Sequence, residues 1–140
     1  MTHSSNDLDI FARTLYGEAR CEYGKVGIAA LMAVGNVVLN RLGQKHFGAS
    51  IADVCLKPWQ FSCWNEKDPV RKVITGDNLE KDPVFRVCQD VARGIVFSSW
   101  PDLTKGSDHY HADYCRPYWA KSQKLRVRLG RHLFYRLESR

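Results

Sequence analysis

Near the start of the chain, apolar residues recur at three- and four-residue steps, at Leu8, Phe11, Ala12, Leu15 and Ala19, and this spacing predicts an amphipathic helix over about 8–19. Asn6, Asp7 or Asp9 is available to cap it. The next run, Lys25 to Arg41, is apolar on nearly every side and interleaved with small residues, the pattern of a buried helix. It falls short of the ~20 apolar residues a bilayer span needs, and Asn36, Asn40 and Arg41 argue further against stable membrane insertion. Beyond Gly43 the pattern shortens to a helical turn over Ser50 to Leu56, an aromatic loop from Lys57 to Asn65, and a short helix near Val70 to Thr75. Pro83, Val84, Val87, Cys88, Val91, Ala92 and Ile95 then predict a longer helix with proline in its first turn. From Asp102 onward GSDHYHADYC, VRLG and RHLFYRL alternate polar with apolar residues and predict short strands, the last two joined around Gly130.

Helices first and a small antiparallel sheet in the C-terminal part make an α+β arrangement dominated by helix. The 140 residues fit one domain over 1–140, with the first seven expected to be loose. A hydrophobic share of 44% and the lack of a Gly/Ser or Pro-rich tract leave no place for a linker.

The net charge of +6 favours anionic partners: nucleic acid, a membrane surface, or wall polymers. Its late carriers, Lys121, Lys124, Arg126, Arg128, Arg131, Arg136 and Arg140, alternate with apolar residues, as a solvated strand face does. Cysteines 21, 55, 63, 88 and 115 are odd in number and contain no CxxC, so neither a zinc ribbon nor a redox motif is signalled. No charged segment followed by an apolar one opens the chain, so synthesis in the cytoplasm and reduced, buried thiols are expected. A Cys55–Cys63 bridge stays open for an oxidising compartment.

Three segments could carry chemistry. In RTLYGEARCEYGKVG, Glu18 is placed at the end of the first helix, where the helix dipole opposes a negative charge. Shielded by the buried helix on one side and facing a groove on the other, it would suit a general acid. The plainer reading is an exposed glutamate paired with Arg13 or Arg20. In KPWQFSCWN, the rings of Trp59, Phe61 and Trp64 alternate with Gln60, Ser62 and Asn65, and sugars are bound by such ring faces and polar groups together. The plainer reading there is a core-plugging loop. In HYHADYCRPYW, His109 and His111 point to one side of a strand, either as cleft-lining residues or as metal ligands with Asp113, Cys115 or Glu18.

Taken together and in this order, LYGEAR, the helix ending in VVLNR, KPWQFSCWN, HYH, PYWA and LGRHLFYR resemble the SleB/CwlJ-like cell wall hydrolases, the family that includes the spore cortex-lytic enzymes. The resemblance runs from about Leu8 to Leu137. It implies a lysozyme-like or lytic transglycosylase-like domain, a peptidoglycan glycan substrate, a catalytic glutamate matching Glu18, and no metal or organic cofactor. Gln60, Phe61, Ser62, Trp64, His109, Tyr110, His111 and Trp119 would line the glycan groove. The wording of HYH and FSCWN is similar to phage and Gram-negative members, which suits a monomer acting on the wall or periplasm after release or non-standard export.

A glycosidase ordinarily uses two carboxylates. Only Glu18 stands out, because Glu22 falls beyond the expected helix end and Asp108 is the other candidate near the groove. One acid is consistent with lytic transglycosylation between N-acetylmuramic acid and N-acetylglucosamine, with a hydrolytic muramidase as the alternative. Two other classes remain in view: a metal-dependent amidase or peptidase using His109, His111 and His132, and a basic nucleic-acid-binding module.

Overall fold

The structure, a computed structural model, describes residues 3–137. These residues form five α-helices and three strands: α1 Ser5–Val26, α2 Ile28–Leu42, α3 Ile51–Leu56, α4 Pro69–Ile74, α5 Pro83–Phe97, β1 His109–Ala112, β2 Val127–Leu129 and β3 His132–Tyr135. Short 3-10 turns at Lys45–Phe47, Ser62–Trp64, Leu79–Lys81 and Tyr118–Ser122 join them.

The first helix starts earlier and ends later than periodicity predicts. Ser4 is its cap: its side chain accepts from Asp7 N, and Asp7 in return accepts from Ser4 N, both at 3.0 Å. Of the segment expected to be loose, residues 5–7 already form the first turn of α1, while Met1 and Thr2 lie outside the described residues. The second Asp7 oxygen accepts from Ala52 N at 3.0 Å, tying the start of α1 to α3. Burial works against the Asp7 charge, but these N–H donors outweigh it and hold its carboxyl below the ordinary range.

At the other end α1 runs about two turns past Ala19 before Gly27 separates it from α2. α1 is the central element, packing against α2, α3, α4 and α5. Phe11, Ala12, Leu15 and Ala19 are fully buried on it, with Val34, Val37 and Val38 of α2 and Phe85, Val91 and Ala92 of α5 completing the core. A large side chain buried in this way contributes ~1.5–3 kcal/mol, so the core is the main source of stability.

The sheet is antiparallel in the order β1-β3-β2, with Tyr110 opposite Phe134 and Leu129 opposite His132. Phe134 is fully buried and carries the sheet into the helical core. Arg41 joins the two parts. Its Nε donates to Asp108 O at 2.8 Å, and its guanidinium lies 4.7 Å from the centre of Phe47 and 4.9 Å from that of Phe61. Among the described residues, no helix is long and apolar enough to cross a membrane, and all five cysteines are free thiols, Cys55 and Cys63 included.

Candidate active site

Glu18 lies in the middle of α1, not at its end, so the dipole of the helix terminus, which fades within one turn, does not act on it. Its position is set by the residue before it. A Cβ on Gly17 would come 2.7 Å from Cys63 Cβ and 2.8 Å from Cys63 Sγ, so only glycine lets the 62–64 turn close onto the helix. That approach delivers Cys63 N–H to Glu18 Oε2 at 3.1 Å. From the sheet, the Tyr110 hydroxyl donates to Glu18 Oε1. Burial, and then the adjacent Glu18 charge, push the Tyr110 phenol well above its ordinary range, so it remains a neutral donor. Cys63 is driven upward for the same reasons, burial first and Glu18 second, and stays a thiol.

Glu18 opens into a cleft of about 410 Å³ between α1 and the sheet. Gln60 and Ser62 form one wall, Tyr110 and His111 another, and Arg41, His132 and Glu22 complete it. Arg41 Nη1 donates to Gln60 Oε1 at 3.3 Å, which orients that amide at the rim. His132 is buried against the Tyr110 ring, 5.0 Å between centres. Burial lowers its pKa, partly offset by the charges of Glu22, Glu18 and Asp113, so the imidazole is neutral near pH 7.

The aromatic loop divides its residues among three places. Gln60 and Ser62 face the cleft, whereas Phe61 is buried beneath Arg41 and cannot reach a ligand there. Trp64 is half-buried, donates through Nε1 to Thr14 Oγ1 at 2.9 Å, and lines a neighbouring groove of about 630 Å³ with Leu56, Pro58 and Trp59. Trp59 is 83% exposed at a left-handed φ of 68°. On β1, His109 and His111 both contact the Trp119 ring, at 5.1 and 5.7 Å, so they do share a side. Of these three only His111 lines the cleft; His109 bonds Asp108 Oδ1 at 2.9 Å and packs on Phe47, and Trp119 backs the strand.

The second-carboxylate expectations need correction. Asp108 is buried, accepting from Gln44 Nε2 at 2.9 Å and Leu137 N at 3.1 Å, and does not line the cleft. Glu22 is not beyond the helix: it lies on α1 one turn after Glu18 and lines the same cleft. There it accepts from Arg131 N at 2.7 Å, and a Cβ on Gly130, whose φ is +58°, would overlap its Oε1. Glu22 thus fastens the β2–β3 turn to α1. Among the described residues, no three His, Cys, Asp or Glu side chains gather as a metal would require.

A family model described as cell wall hydrolase matches residues 27–135, a segment that begins after Glu18. The chain is 28% identical over 136 residues to a spore cortex-lytic enzyme of Bacillus subtilis, covering 94% of this chain and 38% of that protein. It is 28% identical over 137 residues to a spore cortex-lytic enzyme of Halalkalibacterium halodurans, covering 94% and 35%. The chain therefore spans little more than a third of these relatives. Among solved structures, the catalytic domain of the germination-specific lytic transglycosylase SleB from Bacillus anthracis superposes with a TM-score of 0.68 at 22% identity, covering 96% of this chain and 97% of that one. The catalytic domain of Bacillus cereus SleB gives 0.65 at 20%, covering 96% and 93%. At these identities the likeness is one of fold.

Proposed function

Because the chain belongs to the cell wall hydrolase family, we propose that it is an enzyme that cleaves peptidoglycan glycan strands between N-acetylmuramic acid and N-acetylglucosamine, with Glu18 as general acid and base. The observation that carries this reading is the geometry around Glu18: a carboxyl group in an open cleft, with a donor fixed on each oxygen. The names of the relatives, cortex-lytic enzyme and lytic transglycosylase, support the same substrate class.

The reaction proposed is lytic transglycosylation. Glu18 gives its proton to the glycosidic oxygen as the C1–O bond breaks, and the 6-hydroxyl of the muramic acid closes onto C1. The hydroxyl proton returns to the Glu18 carboxylate, which restores the acid and leaves a 1,6-anhydro end. Gln60, Ser62 and His111 contact the sugars at the cleft, and the groove beside Trp59 and Trp64 offers ring faces to the next residues of the strand.

Glu22 lends a hydrolytic muramidase some support, since side chains four apart on a helix start only ~5–6 Å from one another at Cβ. As a second catalytic carboxylate, however, it would have to release Arg131 N. The deciding experiment is digestion of purified peptidoglycan by wild type, Glu18→Gln and Glu22→Gln, with fragments weighed by mass spectrometry. Glu18→Gln is expected to fold normally and lose at least ~10²-fold in rate, the usual effect of removing a general acid. Glu22→Gln, which still offers an oxygen to Arg131 N, is expected to keep activity within about tenfold and to release anhydro fragments. Products carrying an added water, together with inactivity of Glu22→Gln, would overturn transglycosylation in favour of hydrolysis.

A further inference from the structure

Five of the late basic residues sort into two groups once folded. Arg128 and Arg131 both pair with Asp113 at 2.9 Å. Lys124, Arg126 and Arg136 instead converge with Lys105 on a groove of about 330 Å³ at the open end of the β2–β3 hairpin. Among the described residues none of these four forms an ion pair, and the only other lining residue is Leu125. Among the described residues the groove thus gathers four cations with no carboxylate and no aromatic ring.

Backbone carbonyls, not acids, hold the arginines in place. Lys105 and Gly106 take left-handed φ values of 56° and 79°. Arg126 Nη1 donates to Lys105 O at 2.5 Å, and Arg136 Nη1 to Gly106 O at 3.1 Å. A left-handed lysine is strained and persists only where its surroundings fix it. Here Asp102 accepts from Thr104 N at 2.7 Å and Gly106 N at 3.0 Å, while Asn40 of α2 donates to both Asp102 Oδ2 and Ser107 O at 2.9 Å. A carbonyl partner orients a guanidinium without cancelling its charge, and each arginine keeps most of its five N–H donors for a ligand.

We propose that this groove binds the phosphate groups of an anionic wall polymer and so docks the enzyme beside its glycan substrate. Guanidinium forks match phosphate oxygens two at a time, and four clustered cations suit a chain of repeated phosphodiesters better than a single carboxylate. Nucleic acid fits less well, because no ring lines the groove for bases to stack on. Arg126 N bonds Phe134 O near the open end of β3, whereas His132 lines the cleft at the other end. The two sites are roughly 10 Å apart along the strand, so both can be filled at once. The docking role rests on the wall-cleaving function proposed above, whereas binding of the polymer itself is measured apart from cleavage.

The test is calorimetric titration of the whole chain with soluble poly(glycerol phosphate), comparing Arg126→Gln/Arg136→Gln with Arg86→Gln/Arg93→Gln, an equal loss of charge on exposed positions of α5. Wild type is expected to bind with an affinity that falls as salt rises. The groove variant is expected to weaken at least tenfold and the α5 variant less than twofold, with both cleaving phosphate-free glycan strands at the wild-type rate. Lys105→Gln/Lys124→Gln, which leaves both arginine–carbonyl bonds intact, should weaken binding likewise and covers the case in which the arginine variant misfolds. Equal weakening by groove and α5 variants, no binding, or tighter binding of single-stranded DNA or anionic-lipid vesicles at equal phosphate content overturns the proposal.

Discussion

Glu18 receives one donor from a loop and one from the sheet, so its orientation depends on two distant parts of the chain. Tyr110→Phe removes the second donor while keeping the ring. A hydrogen bond to a charged group is worth about 1.5–3 kcal/mol, so kcat/KM on soluble glycan fragments is expected to fall roughly ten- to a hundredfold, with the melting temperature shifting little. His132 predicts a pH effect on stability. Burial lowers its folded pKa below the unfolded value of 6.5, so the unfolded chain binds more protons there as pH falls. Its contribution is complete above pH 6.5 and is lost as pH drops from there toward the folded pKa. Melting curves between pH 8 and 5 should show this slope in wild type and a shallower one in His132→Gln. The depressed carboxyls Asp7, Asp82, Asp102 and Asp108 act lower, below their unfolded value of 3.8, so the two effects separate. Of the site's residues, Glu18, Gln60, Ser62, Tyr110 and His111 were legible from residue type and motif. Arg41 and His132 were not read as cleft residues, because a buried cation and a neutral imidazole are defined by neighbours far away in sequence.

At the scale of elements, the α1–loop contact is the joint that matters most for the site. Gly17→Ala would drive the new methyl into Cys63 Cβ and Sγ and also to 3.3 Å from Ile74 Cγ2, so the 62–64 turn must retreat. Overpacking of this kind costs about 1–3 kcal/mol, and the retreat carries the Cys63 N–H away from Glu18. The expected outcome is a lower urea midpoint together with a loss of activity larger than the stability change explains. The five helices were readable from apolar spacing and proline positions, and the hairpin from alternation around Gly130. The last third of α1 was not, because Cys21, Glu22, Tyr23 and Gly24 look like a turn when read alone. What keeps that stretch helical is tertiary: Glu22 is buried by its bond to Arg131 N, and propensity yields to packing. Periodicity also cannot distinguish Phe61, which plugs the core, from Trp59, which faces solvent two residues away.

For the whole molecule, Arg41 is one of the points where helical and sheet parts meet. Arg41→Ala removes the bond to Asp108 O and empties the space between Phe47 and Phe61, at an expected cost of about 3 kcal/mol in chemical denaturation. Arg41→Met refills the space but not the bond and should recover part of the loss. Because Asp108 leads directly into β1 and lies two residues before Tyr110, both variants are expected to lose activity as well as stability.

Gly17, Glu18 and Glu22 belong to one uninterrupted α-helix, so the bearings of the loop contact, the acid and the hairpin clasp are locked to each other by helical pitch alone. Inserting a single alanine between Glu18 and Glu22 would rotate everything downstream by about 100°. The clasp would then point away from Arg131 while the acid still faced the loop. Such a chain would keep its proton donor and lose the far wall of its cleft, uncoupling the two halves of the site without altering either one's chemistry.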